Sequence, residues 1–594
     1  MDLTPEDKAI GKENFYEAVG TTRRDFLLGT LATSGAGLGG AYFGYDAIDK
    51  ENPVRIGVIG TGDEGSVLIG ALNPDYVEVV AIADIRPYNI YRAFHGDLSS
   101  PNATKARPGL LKVYEGKSGW ENEAAAREHV AVYEEKYEAL LADENVEAVI
   151  IALPLWLHDV AAIKAMKAGK HVLTEKLMAQ TVGKCKEMAR VAAAEDKVLA
   201  TGHQRHYSVL YANAVDTIRR GLIGDVHHIR AQWHRGNLPG KDSWQPPLPT
   251  ELMEEEAYQN LLRAARKEGP AAEAKFRSDY KILGQLFSMR NKATAARKKG
   301  QTKVAESWDN QAKQKEAQLE DFSVKAAQYG YQSKTLDNGS GYEVSPLEEL
   351  IRWRLWNRTG AGLMAELGSH QLDAASIFIS AQSEGGKKVY PISVIGSGSR
   401  SIFPADREVD DHVYTTFEFP AKGYFAKDGK TVADPNKKII VTYSSINGNG
   451  YGGYGEVVMG TKGTLILEKE KDVMLYKGSS TSTNITIKEG SGGPQMDTTE
   501  SGGGEAAAVA QAATADVSRG YREEIEHWAW CIRNPGKGEV KCKPEVAMAD
   551  AVIALASNIA MKENRRVEFD SKWFDISDNA TPEGIPPRDI STLG

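Results

Sequence analysis

The chain has 594 residues, 41% hydrophobic and 26% charged, with a formal net charge of -9. That length exceeds one ordinary core and predicts two domains with insertions in a soluble globular protein. The acidic balance excludes broad nucleic-acid affinity, because phosphate binding needs a basic face. Three cysteines, Cys185, Cys531 and Cys542, are too few for a disulfide framework. Cys531 and Cys542 either pair in an oxidising compartment or stay as buried thiols. No Cys/His cluster has zinc spacing, so no metal site is expected.

Residues 1–50 read as a signal and linker. Thr22-Arg23-Arg24-Asp25-Phe26-Leu27-Leu28 precedes a weakly apolar, Gly/Ala-rich stretch reaching about Gly44. The pattern resembles a twin-arginine export signal. The stretch is only marginally long enough to span a bilayer and has no polar stripe to make it an amphipathic helix. No small-x-small cleavage site stands out before Asn52, so an uncleaved segment would tether the protein to the outer side of the membrane. Otherwise the protein is periplasmic.

From Val54 strand and helix patterns alternate. Val54 to Ile59 is a short apolar strand ended by a glycine turn, a helix starts at Val67, and Val77 to Ala83 is a second strand ending at Asp84. Val146 to Ala152 is a buried strand stopped by Pro154, His158 to Ala168 a helix closed by Gly169, and His171 to Thr174 the next strand. The alternation predicts an α/β Rossmann domain over 54–178, a parallel sheet with helices on both faces.

Strand patterns at Val226 to Trp233, Ile392 to Gly396, His412 to Phe419, Lys438 to Ser444 and Gly463 to Leu467 predict a second, α+β domain over 179–570. Its large open sheet is mostly antiparallel, with helices at Val182 to Glu195 and Leu210 to Arg220 covering one face. Residues from about 250 to 340 are charged, alanine-rich and without strand signal, which predicts an inserted helical hairpin or cap. The basic run from Arg290 to Lys303 within it reads as a solvated helix face. A flexible loop over about 490–518 and an extended tail over 571–594 complete the chain.

Three constellations carry chemistry. Gly60-Thr61-Gly62-Asp63-Glu64-Gly65 matches G-x-G-x-x-G between a predicted strand and helix. The first glycine permits the tight turn, the second lets a pyrophosphate approach, and the third packs helix on strand. The helix N-terminus at Asp63 and Glu64 offers N–H groups to phosphate. Asp84, at the end of the next strand, suits an adenine-ribose 2′-hydroxyl and favours NAD, while Arg86 two residues on leaves NADP open. Next, Glu175-Lys176 follows a parallel strand, so Lys176 faces the ligand crevice, although a surface Glu-Lys pair would look the same. Last, Glu366, His370 and Asp373 are spaced i, i+4 and i+7 on a helix and share one face. That face can form a proton relay, or simply hold a core histidine.

Together these motifs resemble the glucose–fructose oxidoreductase / inositol dehydrogenase / rhizopine catabolism family. The resemblance rests on the glycine turn, the Ala-Leu-Pro…His158 stretch with Leu153 and Pro154, Glu175-Lys176, and Gly368-x-His370-x-x-Asp373. It implies an NAD(P)-dependent enzyme oxidising or reducing a secondary hydroxyl or keto group of a sugar, sugar acid or cyclic polyol, and a homo-oligomer is expected. Lys176 then corresponds to the lysine beside the nicotinamide and His370 to the catalytic histidine, with Glu366 where many members have aspartate. Arg205, Trp356 and Asp373 are expected at the substrate, with Trp233, Trp244 and Trp353 flanking it. Leu177 stands where the family has proline, so a trans peptide and a displaced Lys176 are expected there. Other readings are a glycoside hydrolase working by transient oxidation and a non-catalytic sugar sensor. Twin-arginine export moves folded proteins, which suits an enzyme that takes up its nucleotide before export and keeps it.

Overall fold

The computed structural model describes residues 3–19, 37–117, 120–240, 246–477, 487–490, 493–496 and 519–593. Arg23, Arg24, Trp244 and most of the 490–518 loop lie outside them.

Six strands form the first sheet: β1 (Val54–Ile59), β2 (Val77–Ala83), β3 (Ala131–Tyr133), β4 (Ala148–Ile151), β5 (His171–Glu175) and β6 (Leu199–Gly202). They lie in the order β3-β2-β1-β4-β5-β6 and every pairing is parallel. β4 is apolar at consecutive positions and wholly buried, as a strand covered on both faces must be. Strand order reverses between β1 and β4, and a crevice opens at the carboxyl ends there. The parallel sheet therefore continues past residue 178 to β6, whose four residues, Leu-Ala-Thr-Gly, are too few to show a pattern.

The second domain contributes β7 (Val226–His234), a two-stranded ribbon of β8 (Lys334–Thr335) and β9 (Glu343–Val344), and then β10 (Ser393–Ser399), β11 (His412–Pro420), β12 (Lys438–Ile446), β13 (Tyr454–Gly460), β14 (Gly463–Glu468) and β15 (Asp472–Lys477). Its eight-stranded sheet runs β15-β14-β13-β7-β12-β11-β10, closed by a short strand at Val567–Glu568. Only the β7–β12 pairing is parallel, because β7 enters between strands from later in the chain. β11 alternates, with Val413, Thr415, Phe417 and Phe419 buried. The covering helices are Ser369–Ser380 and Pro544–Glu563. Of the two helices expected there, Val182–Ala194 packs beside the His158–Lys167 helix in the first domain and against Pro544–Glu563, while Val209–Arg219 lies against Ser369–Ser380 and reaches the sheet at β15 and, through Tyr211 Oη donating to Glu456 at 2.9 Å, at β13. Helical periodicity shows that a face is buried, not which sheet buries it.

The 250–340 block is a cap of four helices, Glu255–Glu268, Pro270–Asp279, Lys281–Lys298 and Thr302–Glu320. They share a small core around Leu262, Leu283 and Phe287. Within the basic run, Arg290 pairs with Glu316, Arg297 with Asp309, and Lys292 lies over Trp308, all inside the cap. Strand β8 begins within the stretch read as strand-free, since two residues carry no periodicity.

Residues 571–593 are packed rather than extended away. The buried Lys186 ammonium donates to the carbonyls of Lys572, Asp578 and Ala580 at 2.9, 2.9 and 2.8 Å, and Arg588 pairs with Glu187. At the other end, the Pro5–Val19 helix lies along β15, with Lys8 and Lys12 paired to Glu468 and Asp472. The three cysteines are free, buried thiols.

Candidate active site

A cleft of about 1280 Å³ lies over the carboxyl ends of the parallel strands, bounded by the second domain and the cap. Gly60, Gly62, Asp63 and Glu64 line it, and Gly65 packs behind them. Gly60 has φ +87°, and a Cβ there would stand 2.6 Å from the Ala152 carbonyl; one at Gly65 would stand 2.1 Å from the Gly60 carbonyl. Only glycine lets β1 turn so tightly into the Asp63–Ala71 helix, whose N-terminus then faces the cleft. Burial opposes ionisation of Asp63, yet Arg92, Arg354 and Arg107 hold its carboxyl well below the usual carboxylate range.

Asp84 is fixed at the end of β2. One carboxylate oxygen accepts from the Thr61 N–H at 2.8 Å and Asn89 Nδ2 at 3.1 Å, and the other from the Arg86 N–H at 2.9 Å. A bare glycine turn, a helix N-terminus and an acceptor carboxylate fit the pyrophosphate and ribose of a dinucleotide.

His158 ties two loops of the cleft together. Its ring nitrogens lie 2.8 Å from the carbonyls of Leu153 and Leu177. Leu153, Pro154, Glu175 and Lys176 line the cleft beside it. The Lys176–Leu177 peptide bond is cis, against the trans geometry expected without proline, and Lys176 points into the cleft.

At this end the domains meet. Lys176 Nζ donates to the carbonyls of Ala365 and Glu366, at 3.3 and 2.5 Å. Met364–Gly368 is a π-helical turn leading into the Ser369–Ser380 helix, and it presents Glu366 and His370 to the cleft. Burial, and then the Lys176 charge, press the His370 imidazole well below its ordinary value, so it is neutral. Burial also lowers the Lys176 ammonium, against the pull of Glu175 and Glu366, while burial and then Glu64 push the Glu175 carboxyl up. Trp233, Trp353, Arg235 and Arg354 complete this end. Arg235 Nη1 lies 3.3 Å from Glu366 and Arg354 Nε 3.9 Å from the same carboxylate oxygen.

Three residues expected at the substrate are not in the cleft lining. Trp356 is fully buried in a separate cluster with Leu336, Val344 and Val409. Arg205 is sealed between Glu456 and Glu470, each at 2.9 Å. Asp373 turns away from His370 to accept from His206 at 2.9 Å, so the three-residue relay is not formed, and Glu366 and His370 alone of the three line the cleft. The π turn adds a residue to the helical repeat, which breaks the simple i, i+4, i+7 stripe. Asp373 instead joins His203 and Asp550 in a buried group whose ligand atoms lie within 4.8 Å of one another, beside the Lys388 ammonium at 2.7 Å from Asp550.

Arg107, Arg235, Arg354, Tyr331 and Tyr521 also line the cleft and belong to none of the three sequence constellations. Arg235 carried one signal: it follows Trp233 by two residues at the end of β7, so strand alternation puts both on one face. The others come from separate segments, Arg354 from the Trp353–Leu355 turn and Tyr521 from the start of the Tyr521–Arg533 helix among them.

Residues 54–203 match the family model GFO_IDH_MocA, described as an oxidoreductase family with an NAD-binding Rossmann fold. This segment is an NAD-binding Rossmann domain of that family. Similar curated proteins include an uncharacterized oxidoreductase of Schizosaccharomyces pombe, 33% identical over 149 residues, 24% of this chain and 39% of that protein. A glycosyl hydrolase family 109 protein of Solibacter usitatus is 27% identical over 225 residues, 36% of this chain and 46% of that one. The chain thus spans less than half the length of each. Among solved structures, scyllo-inositol dehydrogenase from Lactobacillus casei, with bound NAD(H) and scyllo-inositol, shares 14% identity at a TM-score of 0.44, covering 87% of this chain and 99% of that one.

Proposed function

We propose that the protein is an exported NAD-dependent oxidoreductase acting on a secondary hydroxyl or keto group of a sugar, sugar acid or cyclic polyol. The observation that carries this reading is that Lys176, Glu366 and His370 line one end of a cleft whose other end is the dinucleotide turn. Bound NAD supplies the hydride acceptor. His370, kept neutral by burial, takes the hydroxyl proton, and Lys176 stands across from it to share that proton. Trp233 and Trp353 offer aromatic faces to sugar C–H surfaces. Arg235 beside Glu366, and Arg354 beside Glu366 and Asp63, put guanidinium groups at the same end of the cleft, where a sugar acid would bring its carboxylate. Incubation of purified protein with NAD and a panel of neutral and acidic sugars, followed by reduced-nicotinamide absorbance, tests the reading. Bound cofactor with no signal on any of them would reject a simple dehydrogenase.

A second reading is glycoside cleavage or hydration through transient oxidation. The Solibacter relative is a glycosyl hydrolase family 109 protein, and a 2,7-anhydro-N-acetylneuraminate hydratase of Escherichia coli is 31% identical over 138 residues. Release of nitrophenol from nitrophenyl glycosides without net NADH formation would select it. Export rests on Arg23 and Arg24; replacing both with lysine should leave the protein in the cytoplasm. A homo-oligomer is also part of the proposal, and light scattering of the purified chain checks it.

A further inference from the structure

The helical cap contributes nothing to the proton chemistry above, yet it reaches the cofactor cleft at the adenosine end. The Thr302–Glu320 helix packs on the Pro87–His95 helix that follows β2. Directly after it comes Asp321, fully buried, against the side chain of Arg86, itself 6% exposed. One Asp321 oxygen accepts from Arg86 Nε at 2.9 Å and Nη2 at 2.7 Å, and the other from the Tyr88 N–H at 3.1 Å. Beyond it, Val324 and Tyr331 pack with Ile85 and Trp156, and Ser323, Gln328 and Tyr329 continue the wall of the cleft.

This arrangement resolves the ambiguity of a carboxylate at 84 followed by a guanidinium at 86. A 2′-phosphate would stand beside Asp84, which repels it, and would need Arg86 as a counter-ion. For Arg86 to turn to that phosphate, the buried Asp321 carboxylate would be left without its cation, a strongly unfavourable state. Exposed Lys136 and Lys325 at the rim are matched by exposed Glu134 and Glu135 and lack the forked geometry that grips phosphate.

We propose that the cap is the cofactor-selecting element of this protein, with Asp321 as a positioning residue that holds Arg86 away from a 2′-phosphate and makes the site specific for NAD over NADP. The inference rests on the dinucleotide reading of the cleft, and the test separates the two.

The full chain, freed of co-purified nucleotide, is titrated with NADH and NADPH by nicotinamide fluorescence. The natural chain should bind NADH at least about ten-fold more tightly. Asp84→Ser removes the repulsion but leaves Arg86 held. Asp84→Ser with Asp321→Asn keeps an acceptor for the Tyr88 N–H, drops the charge, and should raise NADPH affinity about ten-fold over Asp84→Ser alone. Adding Arg86→Ala should abolish that gain. Equal affinities in the natural chain, or no gain in a folded Asp84→Ser/Asp321→Asn variant, would overturn the proposal. If that variant fails to fold, Asp84→Ser/Arg86→Ala decides. Unchanged NADPH affinity relative to Asp84→Ser supports sequestration, and a fall shows that Arg86 already reaches the phosphate and overturns it. Binding of neither nucleotide to the natural chain would sink the dinucleotide reading itself, an outcome distinct from binding both alike.

Discussion

Lys176, at the end of the parallel sheet, donates to the main-chain carbonyl of Glu366 in the second domain at 2.5 Å. The residue proposed to share the substrate proton is thereby held by the turn that presents the other polar groups of the site. Replacing Lys176 with methionine should lower kcat by about 10²–10⁴-fold, with a smaller change in KM. Steady-state kinetics on whichever sugar proves active measures the split, and a change confined to KM would leave Lys176 a binding group only.

The neutral state of His370 gives a pH signature. Because burial and the Lys176 charge lower its pKa well below 6.5, the base form persists to more acidic pH than for an exposed histidine. The acid limb of kcat/KM should therefore fall below pH 6.5, and His370→Asn should remove both the limb and most of the turnover.

Arg235 and Arg354 test the substrate class. Changing either to glutamine should raise KM for a sugar acid about ten-fold and affect the corresponding neutral sugar much less, since a guanidinium–carboxylate contact is lost only with the acid. Equal effects on both sugars would count against an acidic substrate.

Arg205 should behave as a structural residue. Arg205→Met leaves Glu456 buried without a cation, while Glu470 keeps Arg519 at 2.7 Å. The loss should be about 3–5 kcal/mol of stability by denaturant unfolding. NADH affinity of the folded fraction should be unchanged, which a substrate-site residue packed against the nicotinamide would not guarantee.

Buried histidines set the acid stability. Burial first, joined by Lys197 at His171 and Lys541 at His527, lowers these two to about 4, and burial lowers His203 to about 3. Their folded pKa values lie below the ordinary 6.5, so the unfolded chain binds more protons as pH falls from about 6.5. Stability they contribute is complete above pH 6.5 and is lost progressively toward pH 4. Melting temperature should fall across that window, and His203→Gln should shallow the slope; a flat profile would contradict the assignment.

Local pattern alone determined a good part of this protein. The apolar runs of β1, β2, β4 and β5, the glycine turn between β1 and its helix, and Asp84 at the next strand end are all short-range features, because strand, turn and helix start are decided within about ten residues. The alternating burial of β11 and β12 was legible for the same reason. What the tertiary structure decided are the pairings between distant segments. Asp321 meets Arg86 across 235 residues, Asp373 turns to His206 instead of His370, and Arg205 is closed off by Glu456 and Glu470. The contact of Lys176 with the Glu366 carbonyl, 190 residues on, is of the same kind. A charged side chain in a sequence has no direction. Its role is fixed by whichever opposite charge the fold buries beside it, since leaving either one alone in the interior costs more than any local preference can offset.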